Sequence, residues 1–480
     1  MDSAEPDVDT GRLHAFARWL PVAILTVLLV GATGAVLRAG GPARPDARRD
    51  DAATTPLLSV RRSLDPLLRR SADARLDARL TEFVATQPAD TCLSVRAEGV
   101  AFGHRADDPQ SPASLQKLLT ATAALLEFGP DRTYETALVA PPPTDGVIVG
   151  NLFVRGSGDP LLATTSYVAR ERNQPQTFSD YEQLADAVVA AGVRQVTGSV
   201  VGDEGRYDDV RYNPLWPTRF INQGQAGPLS ALSVNDGFAY FPDTDGTFGA
   251  AASPPQYAAQ VLTDALRARG VLVDGDPIAG VTPPDLPVLA TLESPPMQAI
   301  VAQMLQESDN NTAELVLKEL GVARGGAGSF AAGQTAVSTI LAEAGLGADD
   351  AMVVADGSGL AVEDQVTCDL VVDTLEHEPT TDTIEAGLAV AGESGTLVRR
   401  WLDTPLVGRV RAKTGTLNQV TGLAGHVDAE DGTDVRFSLI VNLPPDEFVS
   451  AEMVAAQQRL AEILTAHPDL PEVDHLRPVP

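Results

Sequence analysis

Three short motifs contain the residues of this sequence that can perform nucleophilic chemistry without histidine or metal. A serine becomes a nucleophile when a base removes its proton, and a lysine that has lost its own proton can be that base. Each motif alone also fits an ordinary role at a helix start, a helix N-cap or a strand end. Their joint presence and chain order favour one active site. The motifs are Ser114-Leu115-Gln116-Lys117, Ser308-Asp309-Asn310 and Lys413-Thr414-Gly415-Thr416.

Lysine is rare in this chain, and its rarity draws attention to the motifs. The sequence has 35 Lys and Arg residues, of which only Lys117, Lys318 and Lys413 are lysines. Arginine does not release its proton in a protein, so a retained lysine is a candidate for work that arginine cannot do. Lys318 lies outside every motif on a predicted helix. We expect it to be an ordinary surface cation that tolerates replacement by arginine.

The first motif is predicted to supply the nucleophile and its base. Ser114 begins a predicted helix that continues to about Phe128, and Lys117 follows one turn later on the same face. Burial and neighbouring cations lower the pKa of a lysine, so we expect Lys117 to activate Ser114. The backbone N–H groups of Ser114 and Thr416 are expected to form the oxyanion hole.

The other two motifs are predicted to handle the leaving group and the substrate. Ser308 is expected to relay a proton to the leaving amine, and Asn310 to bind the substrate amide. Lys413 suits a terminal carboxylate, and we expect its charge also to lower the pKa of Lys117. The substrate-binding strand continues with Thr414, Gly415 and Thr416.

Composition excludes several other classes of protein. The formal net charge is −30, with 65 acidic residues, so the chain repels nucleic acid. The sequence has no His-x-His, His-Glu-x-x-His or Gly-x-Ser-x-Gly motif, and its two cysteines lack metal-ligand spacing. We therefore predict no metal, no cofactor and no nucleic-acid partner.

The N-terminal region is predicted to attach the protein to a membrane. After a polar tail at 1–18, residues 19–37 form an apolar segment near the lower length limit of about 17 residues for a membrane helix. It is either a transmembrane anchor or a signal segment that is cleaved near residues 31–35. Two arginines precede this segment and four follow it, so the positive-inside rule does not support an outward-facing body. Residues 38–75 lack periodicity and predict a flexible tether.

The body is predicted over residues 76–470, with a C-terminal tail at 471–480. Its catalytic domain comprises 76–140 and 288–470, where helices bracket an antiparallel sheet with final strands at 407–413, 420–427 and 435–441. Residues 141–287 are rich in Gly, Asp and Pro with short β-like runs, which predicts a mainly β inserted domain.

The motif set resembles that of the penicillin-binding protein and serine β-lactamase superfamily. Four more stretches resemble its class C low-molecular-mass D-Ala-D-Ala carboxypeptidase/endopeptidase family. They are Gly-Ser-Gly-Asp-Pro at 156–160, Gly-Ser-Val-Val-Gly-Asp at 198–203, Asp-Gly-Ser-Gly-Leu at 356–360 and Gly-Thr-Leu at 395–397. The resemblance covers about residues 76–464. It implies an α/β (α+β) transpeptidase/β-lactamase-like fold with a large insertion between the first and second motifs.

The resemblance also implies a function. A family member would trim peptidoglycan stem peptides as a serine-type D-Ala-D-Ala carboxypeptidase or endopeptidase, through an acyl-enzyme on Ser114, and β-lactam antibiotics would inhibit it covalently. Peptidoglycan lies outside the cytoplasmic membrane, so the body is expected there, tethered by its N-terminal segment or secreted after cleavage. Asp159 matches the family's Gly-Asp-Pro aspartate, which implies that it reads a free ammonium on the diamino acid. It fits a turn residue before proline equally well.

Two questions stay open at the level of sequence. Cys92 and Cys368 are an even pair, which an oxidising compartment favours as a disulfide, while two buried thiols are the alternative. The same fold also hosts β-lactamases, esterases and catalytically inactive binding or sensor proteins. The long insertion and the lack of an identifiable deacylating group argue against a β-lactamase. The intact motif lysines argue against an inactive protein.

Overall fold

The computed structural model describes residues 60–171, 173–240, 249–347 and 352–468. The chain divides into two compact units, Met1–Leu64 and Asp65–Pro480, and of the first only residues 60–64 are described. The predicted N-terminal tail, the apolar segment 19–37 and the C-terminal tail 471–480 lie outside the described residues. None of the described helices is both long and apolar enough to cross a membrane.

Helices and short strands alternate along the described chain. The helices are α1 (Val60–Ala85), α2 (Gln116–Phe128), α3 (Thr165–Val168), α4 (Gln183–Ala190), α5 (Thr218–Asn222), α6 (Pro254–Ala268), α7 (Met297–Glu307), α8 (Asn310–Gly325), α9 (Phe330–Glu343), α10 (Cys368–Glu376), α11 (Thr381–Gly387) and α12 (Ala451–Thr465). The strands are β1 (Asp90–Ala97), β2 (Val100–His104), β3 (Glu135–Val139), β4 (Val147–Ile148), β5 (Leu152–Arg155), β6 (Leu162–Ala163), β7 (Ser179–Asp180), β8 (Gln195–Val196), β9 (Val200–Asp203), β10 (Phe238–Tyr240), β11 (Gly249–Ala250), β12 (Leu272–Val273), β13 (Ile278–Ala279), β14 (Val288–Glu293), β15 (Met352–Val353), β16 (Gln365–Val366), β17 (Ala389–Val390), β18 (Val410–Thr416), β19 (Val420–Asp428) and β20 (Asp434–Asn442).

The catalytic domain is built on one antiparallel sheet with the strand order β17-β18-β19-β20-β1-β2. Successive side chains of a strand point to opposite faces, so a strand buried on both sides needs apolar residues throughout. Phe437 and Leu439 of β20 pack into one hydrophobic core, and Ile440 packs into the other. The sheet is therefore a middle layer between two layers of helices, as a mixed α/β fold requires.

The strand nearest the predicted chemistry starts later than the sequence pattern indicated. Strand β18 begins at Val410 rather than at residue 407, because the chain turns at Gly408, which has a φ of +74°. The strand then continues to Thr416, so the whole third motif lies on regular strand. Its pairing with β17 covers only Arg411 and Ala412, while its pairing with β19 runs its full length.

The first helix corrects the predicted tether. Helix α1 begins at Val60, inside the range 38–75 that was expected to be flexible. Ala72, Leu76 and Leu80 recur every four residues, which places them on one face of the helix, and all three are buried. Leu76 and Leu80 pack into the core beneath the sheet. Most of the residues between these three are charged, so the helical pattern is weak in the sequence and the segment was predicted to be a tether.

The insertion is mixed α/β rather than mainly β. Its larger sheet has the order β13-β9-β5-β3-β14, and β9 pairs in parallel with both β5 and β13. Parallel neighbours need a long crossover, which is usually a helix. Helices α4 and α6 lie on these two connections and share one core with the sheet. The sheet also includes β3 and β14, which lie beyond the predicted limits 141 and 287.

A disulfide joins the sheet to the helix layer. Cys92 of β1 and Cys368 at the start of α10 are bonded, with their Cα atoms 6.0 Å apart and a sequence separation of 276. Both residues are buried. Next to the disulfide, the Ser94 hydroxyl donates a hydrogen bond to the carboxylate of Asp369. This polar contact also connects β1 with α10.

Alkylation of the unfolded protein tests this bond. Without reductant we expect no thiol to react, and after reduction we expect both cysteines to react, as read by mass spectrometry. Because the bond closes a long loop, its loss should lower the free energy of unfolding by about 3–5 kcal/mol. Two reactive thiols in the unreduced, unfolded protein would refute the bridge.

Candidate active site

The serine of the first motif lies at the start of the central helix. Residues Ala113–Leu115 form a 3-10 turn that leads directly into α2. Helix α2 is buried along its whole face from Gln116 to Leu125, because it is surrounded by other helices and by the sheet. A helix enclosed on all sides is apolar on all sides, and this burial encloses Lys117 as well.

Lys117 is fully buried and makes three polar contacts. Its Nζ atom lies 3.1 Å from the Oγ of Ser114. It donates hydrogen bonds of 2.7 Å to the side-chain oxygen of Asn310 and of 2.7 Å to the backbone carbonyl of Ser358. The first contact is the one that general-base activation of a serine needs.

Burial brings the pKa of Lys117 close to neutral pH. Burial lowers the pKa of Lys117 to about 8, because an ammonium loses its hydration inside the protein. Buried or half-buried carboxylates oppose this shift because they favour the ammonium form. In order of decreasing influence they belong to Asp356, Glu314, Asp309 and Asp364. The remaining shift makes a base of useful strength near neutral pH.

The second motif forms the connection between α7 and α8. Ser308 has a left-handed backbone conformation, with φ of 60°, that ends α7. The Asp309 side chain accepts a hydrogen bond from the N–H of Thr312 and caps α8. This sharp connection turns the side chains of Ser308 and Asn310 towards the two motif lysines.

Lys413 lies on β18 and is also fully buried. Its Nζ donates 2.8 Å hydrogen bonds to the Oγ of Ser308 and to the backbone carbonyl of Thr414. Burial and the charge of Lys117 lower the pKa of Lys413 well below its usual value. The repulsion between two ammonium groups is mutual, so it disfavours the state in which both lysines carry a charge.

The rest of the third motif lies against the nucleophile. A methyl group on Gly415 would be 2.8 Å from the carbonyl oxygen of Pro112 and 3.3 Å from the nitrogen of Ser114. Only glycine lets the strand approach this closely. The hydroxyls of Thr414 and Thr396 lie 3.1 Å apart, and Thr416 is exposed at the end of the strand.

A cavity of about 450 Å³ lies beside the second motif. Its walls come from the insertion and from the catalytic domain, and Ser308, Asn310 and Thr396 contribute to it. Four carboxylate residues and one arginine line it, so its field is negative. They are Glu171, Asp236, Glu307, Asp309 and Arg399.

Asp159 does not reach this cavity. The prediction that it contacts substrate requires an exposed carboxylate, but Asp159 is 1% exposed and lies behind Pro160 and Leu161, which do line the wall. One of its oxygens accepts the N–H of Leu161 at 2.9 Å, as an aspartate in a turn does. Burial raises the pKa of Asp159 to about 6.

Lys318 is not the surface cation that the sequence predicted. It is fully buried, forms an ion pair with Asp208 and donates a hydrogen bond to the carbonyl of Val210. Its ammonium also lies 4.8 Å from the centre of the Phe330 ring. The apolar residues around Lys318 on α8 are typical of a buried helix. The partners of its ammonium, Asp208 and Val210, belong to the insertion, so the sequence near Lys318 could not reveal them.

Sequence reasoning missed several residues that complete the site. The carbonyl of Ser358 contacts Lys117, the carbonyl of Gln225 accepts a 2.6 Å hydrogen bond from Asn310, and Thr396 contacts the third motif. Two of them lie in stretches already singled out by resemblance, at 356–360 and 395–397. Among the described residues, no group of His, Cys, Asp or Glu is arranged to hold a metal ion.

Most of the chain is similar to known proteins. The model of the D-Ala-D-Ala carboxypeptidase 3 (S13) family matches residues 73–247 and 242–464. A D-alanyl-D-alanine carboxypeptidase of Actinomadura sp. (strain R39) is 30% identical over 88% of this chain and 92% of the relative. The carboxypeptidase DacB of Mycolicibacterium smegmatis is 31% identical over 70% of this chain and 72% of its own.

A solved structure supports the same fold. The crystal structure of penicillin binding protein 4 (dacB) from Haemophilus influenzae covers 80% of this chain and 99% of its own, with a TM-score of 0.66 and 21% identity. At that identity the likeness concerns the fold alone. The family model spans most of the sequence, and the resemblance inferred from the motifs is confirmed. This chain belongs to the D-Ala-D-Ala carboxypeptidase 3 (S13) family.

Proposed function

We propose that this enzyme hydrolyses the D-Ala-D-Ala bond of peptidoglycan stem peptides, as a carboxypeptidase or endopeptidase, through an acyl-enzyme on Ser114. The observation that carries the proposal is the 3.1 Å contact between Ser114 Oγ and the amine of a fully buried lysine. No carboxylate lies in hydrogen-bond contact with Lys117, and its contact with the serine hydroxyl is the one that a general base needs. The family membership supplies the substrate class.

Acylation moves one proton, from Ser114 to Lys117 and then to the leaving group. The neutral amine of Lys117 removes the proton of Ser114 while Oγ attacks the peptide carbonyl. The N–H groups of Ser114 and Thr416 would stabilise the resulting oxyanion. When the C–N bond breaks, Lys117 gives up this proton, and the hydroxyl of Ser308, which accepts a 2.8 Å hydrogen bond from Lys413, relays it to the departing amine of D-alanine. Water then hydrolyses the ester and restores Ser114.

The third motif is proposed to bind the C-terminal carboxylate of the substrate. Lys413 itself is covered, so the contacts with substrate would come from the hydroxyls of exposed Thr416 and of Thr414, which is 8% exposed, with the Lys413 charge behind them. A carboxylate arriving beside Lys413 favours its ammonium form and offsets the lowered pKa. The edge of β18 beyond Ala412 is not paired with β17, which leaves room for an extended peptide.

The enzyme is proposed to work outside the cytoplasmic membrane, where its substrate lies. The disulfide between Cys92 and Cys368 fits an oxidising compartment. Residues 19–37 would then be the anchor, or the signal segment if they are cleaved, and the chain between them and α1 would be the tether.

Loss of the nucleophile tests the proposed function directly. Wild type should release D-alanine from muropeptides and be labelled by a fluorescent penicillin, whereas Ser114→Ala should do neither and melt at nearly the same temperature. Labelling with rapid penicillin turnover and no D-alanine release would indicate a β-lactamase. A wild type that is never labelled would indicate an inactive binding protein.

Replacement of Lys117 by arginine tests the base. Lys117→Arg keeps the charge but cannot release a proton, so the rate of penicillin acylation should fall by roughly 10²–10⁴-fold, as expected for loss of a general base. The measurement is the second-order acylation rate constant of protein whose folding has been checked by thermal melting. A rate near that of wild type in folded Lys117→Arg would exclude Lys117 as the base.

Lys318 provides the matched control for that experiment. Lys318→Arg also puts a guanidinium into a fully buried lysine site, so it should lower the unfolding free energy by about 1–3 kcal/mol through overpacking. Lys318 lies eight residues beyond Asn310 on α8, about 12 Å along the helix, and contacts neither Ser114 nor Lys117 in the described structure. Its folded fraction should therefore be acylated at nearly the wild-type rate.

Lys413→Met tests the carboxylate-binding role while filling the same buried space. Substrates that end in a free carboxylate should lose on the order of 2–5 kcal/mol of transition-state stabilisation, measured from kcat/KM. Amidated substrates should lose much less. Equal losses for both kinds of substrate would mean that Lys413 acts through Ser308 and not on the carboxylate.

A further inference from the structure

A buried turn at residues 356–361 is organised by the carboxylate of Asp356. This residue is fully buried, and both of its oxygens are saturated, since a carboxylate offers about four acceptor sites. One oxygen accepts the N–H groups of Ser358 at 2.9 Å and Gly359 at 2.6 Å. The other accepts the N–H of Ala361 at 2.7 Å and the indole N–H of Trp216 at 2.7 Å.

The turn lies directly against the reacting residues. The carbonyl of Ser358 accepts a 2.7 Å hydrogen bond from Lys117. Gly359 has a φ of +81°, and a methyl group there would be 1.8 Å from the carbonyl oxygen of Ala113 and 3.0 Å from the nitrogen of Ser114. The fold of the turn therefore fixes one partner of the base and supports the backbone of the nucleophile.

The carbonyl of Ser358 helps to set the direction in which the lone pair of Lys117 points. A neutral lysine amine has two N–H donors and one lone pair. The side-chain oxygen of Asn310 and the carbonyl of Ser358 can only accept, and each lies 2.7 Å from Nζ. They take both N–H groups, so the lone pair is left for the hydroxyl of Ser114, the one contact that can donate.

We propose that Asp356 is a positioning residue for acylation, which holds the Ser358 carbonyl where it directs the lone pair of Lys117 at Ser114. The proposal rests on the proposed function, in which Lys117 is the general base. Asp356 does not touch substrate; it acts through the turn that it stabilises. Loss of the turn would free one N–H of Lys117 and let the amine rotate away from Ser114.

The charge of Asp356 adds a second effect that a purely structural residue would not have. Four carboxyl groups face Lys117, those of Asp356, Glu314, Asp309 and Asp364, and Lys413 is the neighbouring lysine. Burial and the charge of Asp356 raise the pKa values of Glu314 and Asp364, which favours their neutral forms. Asp356 is also the carboxylate that most strongly favours the protonated form of Lys117.

Asp356→Asn tests both effects through the pH dependence of acylation. In wild type, the rate constant for penicillin acylation should rise with pH and reach half its maximum near the Lys117 pKa of about 8. An amide keeps the size of Asp356 but removes its charge and two of its acceptor sites. The maximal rate should fall by roughly 10²-fold. The midpoint should move down, because the anion that most favours the ammonium is gone, although easier ionisation of Glu314 and Asp364 offsets part of this shift.

Glu319→Gln is the matched control. Glu319 is a buried carboxylate on α8 that accepts hydrogen bonds from Arg132, Arg206 and Tyr207, away from the turn. Its amide variant should lose stability, yet the midpoint and the maximal rate of its folded fraction should match those of wild type. If this control shifts the midpoint as Asp356→Asn does, the effect is a general consequence of buried-charge loss and the proposal is overturned.

Asp356→Glu keeps the test decisive if the asparagine variant does not fold. It retains the charge with a longer arm, so the maximal rate should fall while the midpoint stays near that of wild type. A wild-type rate, or a moved midpoint, in folded Asp356→Glu would overturn the proposal, as would a wild-type profile in folded Asp356→Asn. If wild type itself is not acylated on Ser114, the proposed function fails instead, so the two failures are distinguishable.

Discussion

Lys117 holds an amine in the middle of a hydrophobic core, and its three polar partners are a hydroxyl, an amide oxygen and a backbone carbonyl. A buried ammonium without a close anion costs several kcal/mol of desolvation, and the neutral amine avoids that cost. Burial therefore produces the base, and every surrounding element has to satisfy the amine without supplying a close counter-ion. The central position of α2, the left-handed connection before α8 and the turn at 356–361 all meet this requirement.

The insertion belongs to the active site as well as to its own sheet. Asn310 binds Lys117 with its oxygen and the carbonyl of Gln225 with its amide, so a residue of the insertion holds Asn310 in orientation. Trp216 of the insertion donates to Asp356 behind the base. The acidic cavity also takes walls from both parts. A change in the insertion can therefore reach the chemistry through hydrogen bonds, without any contact with the reacting atoms.

Local pattern was enough to predict helix α2 and strands β19 and β20 of the catalytic domain. The three motifs and their order predicted the family, which the comparisons confirm. Contacts between distant segments could not be predicted. The burial of Asp159 depends on the cavity wall, and the parallel strands of the insertion depend on pairing between segments far apart in sequence. The turn at 356–361 was visible as a stretch, but its partner Lys117 lies about 240 residues earlier.

The rarity of lysine drew attention to Lys117 and Lys413, but it led to a wrong prediction for Lys318, which is buried. All three are fully buried, while the abundant arginines carry the exposed positive charge. Lysine has three donors on a slim chain, whereas arginine needs acceptors for five in a fixed plane. The ammonium of Lys318 donates hydrogen bonds to Asp208 and to the carbonyl of Val210, and it lies beside the Phe330 ring. These two acceptors are too few for the five N–H donors of a guanidinium. In this chain a lysine therefore indicates a buried ammonium or amine site. Whether it is a base depends on its partners: Lys318 has a carboxylate in direct contact, whereas Lys117 has none and contacts the hydroxyl of the nucleophile Ser114.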